Sequence, residues 1–273
     1  MSAEPFKLRD ATHLSLAKWE DQVEGITVGF STKVGGVSKD PFSSLNLGLH
    51  VQDQSSLVLK NRDILAKSTK YPLNKWVFAE QIHSTYIKKV SSFDCGKGLS
   101  SYEDGVANCD GLYTSDKEIM LSLCFADCVP LYFFAPKKPL IGIAHAGWKG
   151  TVSDIAGNMV RTWQAIEGIH PKDVKVGIGP SIGSCCYVVS EHVISQIDLT
   201  SINNYPIPYK SISKGQYNLN LKELNKYLLL EAGIKEENIT ISQLCTSCER
   251  ELFFSHRRDD GMTGRMMGFI GVK

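Results

Sequence analysis

Three side chains define the chemistry open to this sequence: His83, Cys128 and His145. Two imidazoles and one thiolate suit Zn²⁺, with a fourth position left for water as catalytic zinc centres require. The three lie far apart in the chain, so spacing alone leaves open that each is an ordinary core or surface residue. Each stands at a break in an apolar pattern. Gln81-Ile82-His83 ends one segment, Asp127-Cys128 separates two, and His145-Ala146-Gly147-Trp148-Lys149-Gly150 precedes an amphipathic stretch. Polar residues at strand ends and turns face away from the core, where sites are built. Asp127 is a candidate to orient a ligand or carry a proton; its plainer role is a hydrogen-bonded turn residue. A Cys128 nucleophile with His145 as base is a competing arrangement, but a thiolate held by a metal loses reactivity.

Other groups compete for attention. Cys245-Thr246-Ser247-Cys248 is a lone CxxC, and without a second CxxC a zinc ribbon is disfavoured. Cys185, Cys186 and Cys124 are expected as small buried apolar residues. The turns at 33–38 and 177–183 are glycine-rich but match neither a phosphate-binding loop nor a dinucleotide fingerprint. Arg257, Arg258 and Arg265 form a cluster that could grip phosphate or simply be solvated.

The elements that must position these residues follow from periodicity. Strands are expected over 25–31, 75–82, 120–125, 130–134, 140–144, 174–178, 239–244 and 265–272, all rich in Val, Ile or Phe. Val152, Ile155, Ala156, Met159, Val160, Trp163 and Ile166 mark one helical face after Gly150, with Thr151 as its expected cap. Further helices are expected over 220–232 and 55–67. Strands mixed with helices imply a layered α/β architecture. With no linker or internal repeat, residues 1–273 read as one domain. Lys and Arg number 30 against 29 acidic residues, a net charge of +1, so no basic field favours nucleic acid or a membrane surface. The sequence offers neither a membrane span nor an apolar leader, and it reads as cytoplasmic. The 8 cysteines are then reduced thiols rather than a disulfide framework.

The strings STKVGGVS (31–38), NLGLHV (46–51), NRDIL (61–65), QIHST (81–85), ADCVP (126–130), HAGWKG (145–150), GPSIGSCCYVV (179–189) and FFSHRRDDGMTGRM (253–266) occur in order. Together they resemble the laccase-domain family, also called YfiH-like or polyphenol oxidase. The resemblance places the family's metal ligands on His83, Cys128 and His145. It implies mixed β-sheets flanked by helices in an α-β-β-α sandwich. It also implies zinc-dependent phosphorolysis of adenosine, inosine, guanosine and methylthioadenosine, with deamination of adenosine. Copper-dependent polyphenol oxidation is the family's older assignment. A laccase needs several coppers and many histidines, whereas this chain has 7, two of them in the motifs. One Cys-His₂ site suits a redox-silent Lewis acid better. Arg62 and Lys33 are the expected phosphate contacts, and Lys33 and Lys149 stand where many members carry Arg. A binding module with a structural zinc would instead close its site with a fourth ligand.

Overall fold

The structure, a computed structural model, describes residues 3–273. Its first sheet contains β1 (Phe6–Leu8), β2 (His13–Leu16), β3 (Ile26–Ser31), β4 (Trp76–Phe78), β7 (Ile119–Phe125) and β15 (Met266–Val272). The second contains β5 (Ile87–Lys89), β6 (Gly111–Thr114), β8 (Val129–Ala135), β9 (Leu140–Ala146), β10 (Lys175–Ile178) and β14 (Ile239–Ile241). Their orders are β1-β2-β3-β15-β7-β4 and β14-β10-β8-β9-β6-β5. Both are mixed: β4 runs parallel to β7, and β10 parallel to β14, while the central pairs are antiparallel. A small antiparallel sheet joins β11 (Val188–Ser190), β13 (Gln216–Leu219) and β12 (Tyr209–Ser213).

The two large sheets face each other across a core that includes Phe30, Phe125, Phe134 and Ile143. Tyr132 crosses this layer and donates its hydroxyl to the Gly29 carbonyl at 2.8 Å, so the one polar atom it buries is satisfied. Helix α2 (Ser55–Thr69) covers the outer face of the first sheet through Leu65 and Ala66, whereas the shorter α1 (Ala17–Gln22) turns Trp19 into the core between the sheets, against Phe134. Helices α3 (Trp148–Val152), α4 (Ile155–Glu167), α5 (Glu191–Ile194) and α6 (Leu221–Glu231) lie on the side of the second. The layers are therefore helix, sheet, sheet, helix. No helix among the described residues is long and apolar enough to cross a membrane.

The amphipathic stretch after Gly147 departs from the expected single helix. It breaks at Ser153 and Asp154, and Asp154, in a left-handed conformation, caps α4 by accepting the Gly157 N–H at 2.8 Å. Thr151 sits inside α3, where its hydroxyl accepts from Asn225 Nδ2. α3 begins at Trp148, with Gly147 alone between it and β9, the strand that carries His145.

Candidate metal centre and its cavity

After β4 the chain leaves the first sheet, but the Gln81 side chain extends the pairing. Its Nε2 donates to the Cys124 carbonyl at 2.9 Å and its Oε1 accepts the Cys124 N–H at 2.7 Å. His83 then adopts φ 59°, a left-handed conformation costly for a residue with a β-carbon. This turn aims the N–H groups of Ile82, His83 and Ser84 at the Asp110 carboxylate, at 3.2, 3.1 and 2.6 Å. Such convergent amides form an anion nest. Asp110 is fully buried and also accepts from His145 Nδ1 at 2.9 Å. A carboxylate can only accept, so Nδ1 carries the proton and Nε2 is left to coordinate. One acid thus fixes both histidines. Burial pushes the Asp110 pKa up, but the hydrogen bonds and charge of His145 and the Ser84 donors outweigh it and leave it lowered.

Cys128 enters from the turn between β7 and β8. Asp127, at φ 84°, shapes that turn. Its carboxylate accepts Thr246 Oγ1 at 2.6 Å, Ser255 Oγ at 3.0 Å and the Arg257 N–H at 2.7 Å. The coordinating atoms of His83, Cys128 and His145 lie within 4.8 Å of one another. Burial pushes the Cys128 thiol up, yet the two histidines overcome it and hold the thiol down at about 6. The Cys128 thiolate and Asp110 in turn overcome burial at His145 and raise it to about 10. Gly147 makes the room: a β-carbon there would sit 3.0 Å from Cys128 Sγ and 3.2 Å from His83 Cδ2. A softened thiolate, an oriented imidazole and a second imidazole, converging beside a glycine, fit a metal ion.

The cluster opens into a cavity of about 540 Å³ at one end of the facing sheets. Its walls bring in Lys149, Arg257 and Arg265 as cations, with His50, Tyr102 and Tyr187 as ring-bearing groups. Arg257 packs over the Tyr187 ring at 5.0 Å. His50 is exposed to the cavity yet has protein on most sides. Burial, then the charges of Arg265 and Arg62, holds it down to about 4, so it is neutral at neutral pH.

The expected phosphate contacts are not among the cavity's lining. Arg62 is buried, with Nε donating to the Leu47 carbonyl at 3.0 Å and Nη1 to those of Gly98 and Leu99 at 2.6 and 2.7 Å. Its Nε and Nη1 are thus taken by backbone carbonyls. Lys33 is half-buried, and its backbone pairs with Leu252, Ser44 and Leu45. Asp127 does line the cavity, but three donors occupy its carboxylate. Sequence reasoning missed Asp110, because an aspartate before a short strand carries no periodic signal. The expectation of buried apolar cysteines also fails at Cys185, which is exposed, and at Cys186 and Cys124, which are half-buried.

Comparison with known proteins agrees with this architecture. A family profile described as multi-copper polyphenol oxidoreductase laccase matches residues 27–273. Purine nucleoside phosphorylase YlmD of Geobacillus stearothermophilus is 51% identical over 247 residues, covering 90% of each chain. Purine nucleoside phosphorylase YlmD of Bacillus subtilis is 45% identical over 272 residues, covering 98% of each. The crystal structure of YlmD from Geobacillus stearothermophilus superposes with a TM-score of 0.96 at 47% identity, covering 99% of both chains. The Neisseria meningitidis protein NMB0706 superposes at 0.79 with 27% identity, over 92% of this chain and 96% of that one. On the strength of the profile and these relatives, the chain belongs to the multi-copper polyphenol oxidoreductase laccase family.

Proposed function

We propose that the protein is a zinc-dependent purine nucleoside phosphorylase acting on adenosine, inosine, guanosine and methylthioadenosine, and that the same site deaminates adenosine. The observation that carries this reading is the meeting, in one cavity, of a three-ligand cluster with cations suited to an anion. The relatives named as purine nucleoside phosphorylases support it.

His83, Cys128 and His145 are the residues to hold the zinc. Bound there, it supplies Lewis acidity with no redox change. Phosphorolysis breaks the bond between C1′ and the purine nitrogen while a phosphate oxygen bonds to C1′. The protein must hold the anion in line and accommodate the departing base. Arg257, Arg265 and Lys149 are our candidates for phosphate in place of Arg62 and Lys33. Tyr102 and Tyr187 offer apolar faces to the purine. Asp110 and Asp127 are positioning residues, acting through His145 and Cys128.

The donor chemistry favours zinc over the copper oxidation of phenols, because a single Cys-His₂ cluster joins the cavity. The test is product analysis of zinc-loaded protein with inosine, with and without phosphate. Hypoxanthine and ribose 1-phosphate should form in equal amounts and only with phosphate. Adenosine without phosphate should yield inosine. Oxidation of a phenol by copper-loaded protein, with no nucleoside turnover in either metal form, would replace this reading with the oxidase one.

A further inference from the structure

Outside the cavity the fold assembles a second set of ligating side chains. Cys185 and Cys186 lie in the turn after β10, and Cys245 and Cys248 follow β14. The parallel pairing of β10 with β14 continues as a bridge between Ser181 and Cys245, which sets the two cysteine pairs side by side. All four Sγ atoms lie within 4.8 Å of one another. Cys248 Sγ is 3.5 Å from that of Cys185 and 3.4 Å from that of Cys186. A tetrahedron of sulfurs at a Zn–S distance of about 2.3 Å has edges of about 3.8 Å. The CxxC that lacks a second CxxC in the sequence therefore finds its partner in an adjacent Cys-Cys pair.

The surroundings suit thiolates. The Gly183 N–H donates to Cys245 Sγ at 3.2 Å, and the Cys248 N–H closes the CxxC turn on the Cys245 carbonyl at 3.1 Å. A β-carbon on Gly183 would lie 3.1 Å from Cys185 Sγ and 3.5 Å from Cys245 Sγ, so glycine keeps the pocket open. Lys222 is buried nearby, with Nζ donating to the Ser242 and Leu244 carbonyls at 2.9 and 2.7 Å. All four cysteines are free thiols in the structure.

We infer that Cys185, Cys186, Cys245 and Cys248 form a structural four-thiolate zinc site, separate from the cavity cluster. Four protein ligands close it, so its role is mechanical. It ties the turn bearing Ile182 and Tyr187 to the strap that runs from Cys245 to Arg257. Both segments wall the cavity, and the strap supplies Thr246 and Ser255 to Asp127.

Elemental analysis of the full chain tests the site independently of the catalytic reading. The background is a His83→Ala/His145→Ala variant, in which the cavity cluster is dismantled. About one zinc per chain should remain there, and adding Cys185→Ser and Cys248→Ser should remove it. In the wild-type background, the two serine substitutions should lower zinc by about one equivalent. Cobalt reconstitution of the histidine variant should show sulfur-to-metal charge-transfer bands. Because Cys185 and Cys248 are exposed, the serine variants should keep the native circular dichroism. Metal-free protein in the histidine variant, with alkylation finding either free thiols or a disulfide, overturns the site. Iron in place of zinc overturns the identity of the metal. A stoichiometric zinc that survives both serine substitutions overturns the ligand set.

Discussion

At the scale of single residues, Asp110 and Gly147 are the two that make a ligand cluster out of three distant side chains. Asp110 receives the backbone of the His83 turn and the Nδ1 proton of His145. Its truncation would release two side chains of the candidate metal site at once. Asp110→Ala should weaken metal binding by about 10–100-fold, measured by competition with a chelator. Unchanged affinity would show that the ligands hold their places without it. Gly147 has an ordinary negative φ of −67°, so alanine fits its backbone but not its surroundings. Gly147→Ala should therefore reduce metal occupancy and activity while moving the melting temperature little. Full occupancy in a correctly folded variant would place the metal away from this glycine. The pattern of apolar runs leaves His83, Cys128 and His145 open as ordinary residues; the family motifs are what group them, and the structure brings their coordinating atoms within 4.8 Å of one another. Asp110 was not legible, since its importance comes from what folds onto it rather than from its neighbours in sequence.

Among the elements, the long apolar strands were the readable ones. β3, β7, β8, β9, β10 and β15 are runs of Val, Ile, Leu and Phe buried on both faces, and they stand close to their expected bounds. The segment expected as a strand over 75–82 shortens to Trp76–Phe78, because Gln81 pairs through its side chain and His83 turns left-handed. β1, β2, β5 and the β11–β13 sheet are too short or too polar to signal themselves. α2 stands where the sequence places it, and its Arg62, the expected phosphate contact, lies outside the cavity lining. That side chain links the helix to the carbonyls of Leu47, Gly98 and Leu99 and lies over the Phe78 ring at 4.1 Å. Arg62→Ala leaves buried carbonyls unsatisfied, so it should cost about 2–5 kcal/mol of stability. In whatever protein remains folded, the phosphate KM should be unchanged. Urea denaturation and phosphate kinetics read the two effects separately. A raised phosphate KM at wild-type stability would restore Arg62 as an anion ligand.

For the molecule as a whole, the layered α/β class followed from mixing strands with helices, whereas strand order and the pairing of the two sheets are set by long-range contacts. The N-terminal hairpin illustrates such a contact. Asp10 accepts Thr12 and Ser68, joining the β1–β2 turn to α2. Burial pushes its carboxyl up, but these hydrogen bonds win and leave it at about 2, against an ordinary value of 3.8. The unfolded chain takes up this proton first as pH falls. The stabilisation is therefore complete above about 3.8 and is lost as pH drops through about 2. Asp10 is nearly half exposed, so solvent keeps the effect modest. The melting temperature of Asp10→Asn should lie below wild type at neutral pH and converge with it in acid. A gap that persists unchanged into strong acid would assign the effect to something other than this carboxylate.

The catalytic role proposed for the Cys-His₂ cluster is tested most directly by one comparison: zinc content and phosphate-dependent release of hypoxanthine from inosine, in wild type and Cys128→Ala. Two imidazoles are too few for a firm catalytic zinc. The variant should stay folded, keep any zinc held by the four cysteines, lose about one equivalent from the cavity, and release no hypoxanthine. Retention of phosphorolysis by Cys128→Ala, or inactivity of zinc-loaded wild type towards inosine and the other purine nucleosides, would contradict it.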